Sequence, residues 1–349
     1  MKNTIKKTAF AAMAVLASLI FAGCGKKAEV NTDTRLAIED GKTVVERYGQ
    51  LHVQGTGLAD QNNNPVQLRG MSSHGLQWHG KFANEDVLRW LRDDWNCQIW
   101  RSAMYVTEGG YANNQNIKLK VIDSVEAAIK LGMYVIIDWH ILANGDPLTH
   151  MELAKEFFDE MSRKYGSYPN VLYEICNEPN GDNVTWDDNI KPYAEEIIKV
   201  IRANDPDNII IAGTPRWSQR VDLAAKNQIK SDSNIMYTLH FYAGSHKKAN
   251  MKLVKIAAKK KAAIFCTEWG TTKESGDGGV FEKETEEWLS LLKKYNISWT
   301  NWSVNNKGED SGILKFNADR FAKGGWQEKD LSPDGIYMRK LLRNEIEIK

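Results

Sequence analysis

The chain is 349 residues long, and 46 Lys and Arg against 45 Asp and Glu leave a net charge of +1. That balance excludes the basic surface by which nucleic acid is held, so no nucleic-acid partner is expected. Four cysteines at scattered spacing exclude a disulfide framework or a Cys-built metal site; Cys97, Cys176 and Cys266 sit in apolar runs and read as small core residues. The excess is in tryptophan, 12 in all, a residue costly to expose and hard to bury fully. Several are expected to line a groove, where flat rings stack on indole faces.

In chain order the first feature is a basic head (Lys2, Lys6, Lys7), an apolar stretch from Thr8 to Phe21, and a small-residue junction at Ala22 and Gly23. This reads as a secretory signal over 1–23, outside the fold, and is too short and Ala-rich for a good transmembrane helix. Phe21-Ala22-Gly23-Cys24 resembles the bacterial lipoprotein box. The resemblance implies cleavage before Cys24, lipidation of Cys24, and an exported protein bound to a membrane or cell surface through that lipid alone. An ordinary signal peptide with an incidental Cys, and release from the cell, is the alternative. Residues 24–45 are polar and without periodicity, as a tether is. Residues 46–349 are then the folded domain, of ordinary size for an α/β barrel with insertions.

Within that domain, Leu51–Leu58 is expected to pair with a neighbouring segment and cap a barrel floor. Short apolar, β-branched runs follow as candidate strands: Val66–Met71, Gln98–Ala103, Met133–Asp138, Val171–Ile175, Asn208–Ala212, Ile235–Leu239, Ala263–Thr267 and Ile297–Trp302. Between them lie helical periods. The clearest, Asn189–Ala203, carries Ile190, Tyr193, Ala194, Ile197, Ile198 and Ile201 on one face and ends at Asn204-Asp205-Pro206. A second holds Val121, Ile122, Val125, Ala128 and Ile129 and stops at Gly132; Leu153, Phe157, Phe158 and Met161 mark a third. Alternation of this kind fits both a closed barrel and an open doubly wound sheet. A count of eight, with no Gly-rich phosphate loop after any strand, favours an α/β fold of the (β/α)8 TIM barrel type.

Polar residues gather at or just after strand ends: His74 and Trp78 after the first, Arg101 and Tyr105 with the second, His140, Asn177-Glu178, His240 and Tyr242, Glu268, and Trp302. In a barrel these ends share one face. Two carboxylates there, Glu178 and Glu268, suit glycoside hydrolysis, in which one group protonates the leaving oxygen and the other attacks or activates water. Glu174 shares the parity of Glu178 but lies about 13 Å deeper along the strand, so it reads as an internal hydrogen-bonding group. His52, His79, His150 and His246 carry no comparable signal and read as surface or loop residues. Trp90, Trp95 and Trp288 fall at helical spacing and read as core, while Trp217, after strand five, is a candidate extension of the groove.

The segments Leu68–Trp78 (LRGMSSHGLQW), Trp100–Val106 (WRSAMYV), Val135–Leu142 (VIIDWHIL), Val171–Gly181 (VLYEICNEPNG), Leu239–Lys247 (LHFYAGSHK), Ile264–Thr271 (IFCTEWGT) and Ile297–Lys307 (ISWTNWSVNNK) together resemble family 5 glycoside hydrolases, in the bacterial endoglucanase branch. The resemblance implies a retaining endo-β-1,4-glucanase with Glu178 as acid/base and Glu268 as nucleophile. It further implies that Asn177 bonds the sugar 2-hydroxyl and that Arg101, His240 and Tyr242 surround the nucleophile. By the same resemblance His74 and His140 contact substrate, Trp302 is the platform at the cleavage point, and Trp78, Tyr105 and Lys307 make contacts further along. The implied partner is a β-glucan polysaccharide or oligosaccharide, with no cofactor or metal, and the acting unit is a monomer. Other β-glycans (mixed-linkage glucan, xyloglucan, mannan), a metal-dependent barrel hydrolase and a non-catalytic glycan-binding lipoprotein stand as alternatives.

Overall fold

The computed structural model describes residues 36–143, 145–317 and 322–348. Cys24, the expected signal segment 1–23 and most of the expected tether lie outside them. Eight parallel strands close into a barrel: β1 (Arg69–Ser73), β2 (Ile99–Tyr105), β3 (Tyr134–His140), β4 (Val171–Glu174), β5 (Ile210–Ala212), β6 (Ile235–Tyr242), β7 (Ile264–Gly270) and β8 (Trp299–Val304). Each pairs with the next, and β8 returns to β1 through Trp299 opposite Arg69. The helices outside are α1 (Glu85–Trp95), α2 (Lys118–Leu131), α3 (Met151–Tyr165), α4 (Lys191–Arg202), the short α5 (Val221–Ala224), α6 (Lys248–Lys259), α7 (Glu282–Lys294) and α8 (Pro333–Leu342). The expected (β/α)8 barrel is therefore present.

Local chemistry sets these elements. Asn84 caps α1, its side chain accepting from the Val87 amide at 3.0 Å, and Glu85 and Asp86 sit in the first turn, where the helix dipole favours acids. Helix α2 stops at Gly132, which takes a left-handed conformation (φ +65°). All six residues of the expected α4 stripe are buried in the main hydrophobic core. Trp95 and Trp288 are fully buried, as helical spacing suggested, and Trp186 and Trp326, though in connecting segments, are buried too. Cys97, Cys176 and Cys266 are buried free thiols. No helix among the described residues is long and apolar enough to cross a membrane.

Two departures from expectation lie at the floor of the barrel. Val66 belongs to a small antiparallel sheet (His52–Gln54, Gly57–Ala59, Pro65–Val66), where it pairs with Leu58, so β1 starts only at Arg69. That sheet closes the barrel floor as expected, with Leu58, Val66 and Leu68 packed on the strand starts Ile99, Tyr134, Leu172 and Ile209. The second change concerns the tether. Residues 36–45 are not free chain: Ile38–Glu39 pairs with Lys42–Thr43, Thr43 caps a helix at Val44–Tyr48 through a reciprocal bond with Glu46, and Ala37 and Val44 are buried. The polar sequence misleads because only two of its few apolar residues, Ala37 and Val44, are buried, while Leu36 and Ile38 stay exposed.

Candidate active site

Most strands run further toward their C-terminal ends than their apolar runs suggest. Tyr105, His140, His240, Tyr242 and Glu268 are strand residues, because their side chains point into a polar cleft and the backbone ladder continues beneath them. His240 and Glu268 are direct neighbours across β6 and β7. Glu178 sits four residues past the end of β4. One carboxylate oxygen of Glu178, one of Glu268 and a ring nitrogen of His240 all lie within 4.8 Å of one another. Both glutamates are almost wholly buried.

Arg101 organises the floor of this site. Fully buried, it donates from Nε to Glu174 (2.7 Å), from Nη2 to Asn177 Oδ1 (2.6 Å) and from Nη1 to Glu268 Oε2 (3.1 Å), with Asp138 at 3.0 Å. Glu174 is thus the internal hydrogen-bonding group expected of it. The other oxygen of Glu268 accepts from the Tyr242 hydroxyl at 2.8 Å. Burial alone would raise the Glu268 carboxyl, but the His240 and Arg101 charges outweigh it and hold the group below its usual range. Glu178 goes the other way: burial raises it, the neighbouring Glu268 adds to that, and the His240 bond only partly opposes it. Two carboxyls side by side are therefore split, one ionised and one inclined to keep a proton.

Proton placement at His240 follows from one hydroxyl. Thr267 donates to Glu174 at 2.7 Å, so it accepts from His240 Nε2 at 2.9 Å. Nδ1 is left facing Glu178 Oε1 at 2.8 Å. Burial disfavours the imidazolium, yet Glu268, Glu174 and Glu178 carry His240 up to about 9. The His240–Glu178 pair accordingly holds a shared proton at neutral pH. His140 is kept neutral, lowered to about 3 by burial and by Arg101, and its Nδ1 meets Asp138 at 2.6 Å.

Above this floor is a cleft of about 670 Å³. One wall is aromatic: Trp78 meets Tyr105 edge-on at 5.1 Å, Tyr105 stacks on His140 at 4.1 Å, and His140 lies 5.5 Å from Trp302, which in turn packs on His74 at 4.9 Å. Ten of the expected site residues line the cleft: Glu178, Glu268, His74, Trp78, Tyr105, His140, His240, Tyr242, Trp302 and Lys307. Arg101 and Asn177 lie beneath it, fully buried. Trp217 lines it as well, and is 45% exposed.

Several residues were missed. His246, taken for a surface or loop residue, lines the cleft, where its Nδ1 accepts from the Tyr242 amide at 2.8 Å. His79 packs against His74 at 4.9 Å. Glu309 lies in the wall, 2.6 Å from Lys307 Nζ and 3.8 Å from His74 Nε2. Asp138 could have been found by strand parity, since it shares a face with His140 two residues on. Glu309 and His246 sit on loops, where no period marks the inward face.

Among the described residues one group of metal-ligating side chains is close enough to share an ion: Glu178, His240 and Glu268. The donor set does not suit a cation. Both Glu268 oxygens already accept, one from the Arg101 guanidinium, and an ion placed there would face that charge and a histidine inclined to be cationic.

Residues 59–308 match the Cellulase (glycosyl hydrolase family 5) family model, and the chain belongs to that family. It is 54% identical over 306 residues to endoglucanase A of Evansella cellulosilytica, covering 88% of this chain and 62% of that protein. It is 51% identical to an endoglucanase of Clostridium saccharobutylicum, covering 84% and 64%. The chain thus spans a little over three-fifths of the length of these two curated relatives. Its fold matches the crystal structure of the catalytic domain of Thermobifida fusca endoglucanase Cel5A with a TM-score of 0.81 at 39% identity, covering 86% of this chain and 99% of that one.

Proposed function

We propose that this protein is an endo-β-1,4-glucanase that hydrolyses internal bonds of cellulose-type glucans by a retaining double displacement. The observation that carries the reading is the pair Glu178 and Glu268, with carboxylate oxygens within 4.8 Å of each other. Retaining enzymes hold the two groups about 5–5.5 Å apart and inverting ones about 6.5–9.5 Å, to admit a water. Ionised Glu268 attacks the anomeric carbon while Glu178 gives its proton to the departing glycosidic oxygen. A covalent glycosyl-enzyme results. Glu178, now a base, takes a proton from water, which displaces Glu268 and restores the starting configuration. The aromatic wall and Trp217 provide stacking faces for successive sugar rings, and the endoglucanase relatives support β-1,4-glucan as the substrate.

We take the monomer as the acting unit. We further infer that the protein is exported and held to a membrane by lipid on Cys24, a reading supported by the basic head, apolar core and small-residue junction of its first residues.

Proton NMR of the first sugar released tests the mechanism: a β-anomer is expected, and an initial α-anomer would refute retention. A reducing-sugar assay on carboxymethyl cellulose, mixed-linkage glucan, xyloglucan and mannan tests the substrate. Mannan cleaved faster than any glucan would overturn the assignment.

A further inference from the structure

Strand β5 is the shortest of the eight, three residues, and its ladder ends at Ala212. The segment it should support, Asn177-Glu178-Pro179, continues beyond it. On the β3 side the amides of Asn177 and Glu178 are held by the carbonyls of Trp139 and Ile141, both at 3.2 Å. On the β5 side the chain passes close beneath: a Cβ on Gly213 would lie 2.3 Å from the Cys176 carbonyl and 2.8 Å from Pro179. The chain then enters an unusual turn. Arg216, Trp217 and Ser218 have φ of +57°, +55° and +53°, three successive non-glycine residues in the left-handed region. Residues held there persist only where the surroundings dictate it.

What the turn achieves is visible in its bonds. The Ser218 hydroxyl, fully buried, donates to the Asn177 carbonyl at 2.5 Å and accepts from the Thr214 amide at 3.2 Å. The Trp217 amide donates to the Pro179 carbonyl at 3.1 Å. The carbonyls just before and just after Glu178 are thus each held by this turn, in place of the ladder that β5 no longer provides. Among the described residues the Glu178 carboxyl has a single side-chain hydrogen-bond partner, His240. Its aim rests on its backbone.

We propose that the left-handed turn at Arg216–Ser218 is a clamp that aims Glu178 at the leaving oxygen, with Ser218 as its positioning residue. The inference rests on the acid role proposed for Glu178. Removing the hydroxyl frees the Asn177 carbonyl and lets the acid drift, which slows formation of the glycosyl-enzyme, the step that kcat/KM reads, only where the leaving group needs a proton.

The test compares Ser218→Ala and Ser218→Gly with wild type and with Glu178→Ala, reading kcat/KM on cellotetraose and on 2,4-dinitrophenyl cellobioside. The dinitrophenolate departs without protonation. Glycine adopts positive φ freely, so Ser218→Gly removes the hydroxyl without keeping a side chain in the strained turn. Both Ser218 variants are expected to melt near wild type and to lose roughly 10- to 10²-fold on cellotetraose, the scale of a misplacement up to about 1 Å. On the aryl glycoside they are expected to lose almost nothing. Equal losses on both substrates, no loss on either, or failure of both variants to fold would overturn the clamp. If Glu178→Ala itself shows no dependence on leaving group, the acid assignment has failed; if it does and the Ser218 variants do not, the clamp alone has.

Discussion

At the scale of single residues, the chemistry turns on one charge imbalance. Arg101 and Tyr242 both act on Glu268, whereas Glu178, among the described residues, has only a histidine with which it shares a proton. The activity profile should therefore be a bell. Activity is lost as pH falls through the depressed carboxyl of Glu268, which must be ionised to attack. It is lost again as pH rises through the raised carboxyl of Glu178, which must be protonated to donate. A measured profile of kcat/KM with no alkaline limb would remove Glu178 from the acid role. The two glutamates should also separate chemically. Glu268→Gln is expected to abolish turnover of every substrate. Glu178→Ala should still form glycosyl-enzyme from an activated aryl glycoside and be rescued by azide as a β-glycosyl azide, since azide needs no base. Azide rescue of Glu268→Gln to the β-glycosyl azide would instead exchange the roles. Both glutamates were legible in the sequence because each is flanked by distinctive neighbours. Ser218 was not, since its significance lies in a backbone conformation that no spacing rule reports.

Among the secondary-structure elements, the alternation of strands and helices could be read directly, and their ends less well. Apolar content marks where a strand enters the core, but β6 continues through His240 to Tyr242 on ladder bonds that hydropathy does not register. One link between elements carries a prediction of its own. The Thr271 hydroxyl, just past β7, donates to Asp334 in the first turn of α8 at 2.6 Å, and the other Asp334 oxygen has no hydrogen-bond partner among the described residues. Burial, helped by Asp310, raises Asp334 from 3.8 to about 7, against the opposing Thr271 bond. Between those two values the folded protein binds the extra proton, so this group lowers stability as pH rises across that window and keeps it low above. Asp334→Asn cannot ionise. It should melt near wild type at pH 4 and be more stable at pH 8, by up to the order of 4 kcal/mol. Denaturant melts at the two pH values decide this; the same difference at both would mean that Asp334 does not titrate in the window.

For the molecule as a whole, the proposed anchor is the feature to test. Protein carrying lipid at Cys24 should partition with membranes, and Cys24→Ser should release it or block its processing. A single acyl chain binds only marginally, whereas several together hold firmly, each buried CH₂ adding about 0.8 kcal/mol. Wild-type protein recovered entirely from the medium, cut beyond Cys24, would end the proposal. The mixed polar composition of residues 36–45 hid the fact that they fold against the barrel, because two buried side chains, Ala37 and Val44, leave little trace in a polar stretch.

That small N-terminal packing has a geometric outcome. Leu36 is held through its carbonyl by Arg47, in the helix that packs with the floor sheet. At the other end of the described chain, Asn344 bonds Arg69 at the start of β1, and the Ile348 carbonyl accepts from Lys293 in the last turn of α7. Strand starts and the ends of the returning helices lie at the floor, so both ends of the described chain leave from the face opposite the cleft. Any segment joined at either described end therefore begins on the side away from the opening. For the proposed lipid anchor and the proposed polymer substrate alike, this puts the point of attachment and the point of cutting on opposite faces.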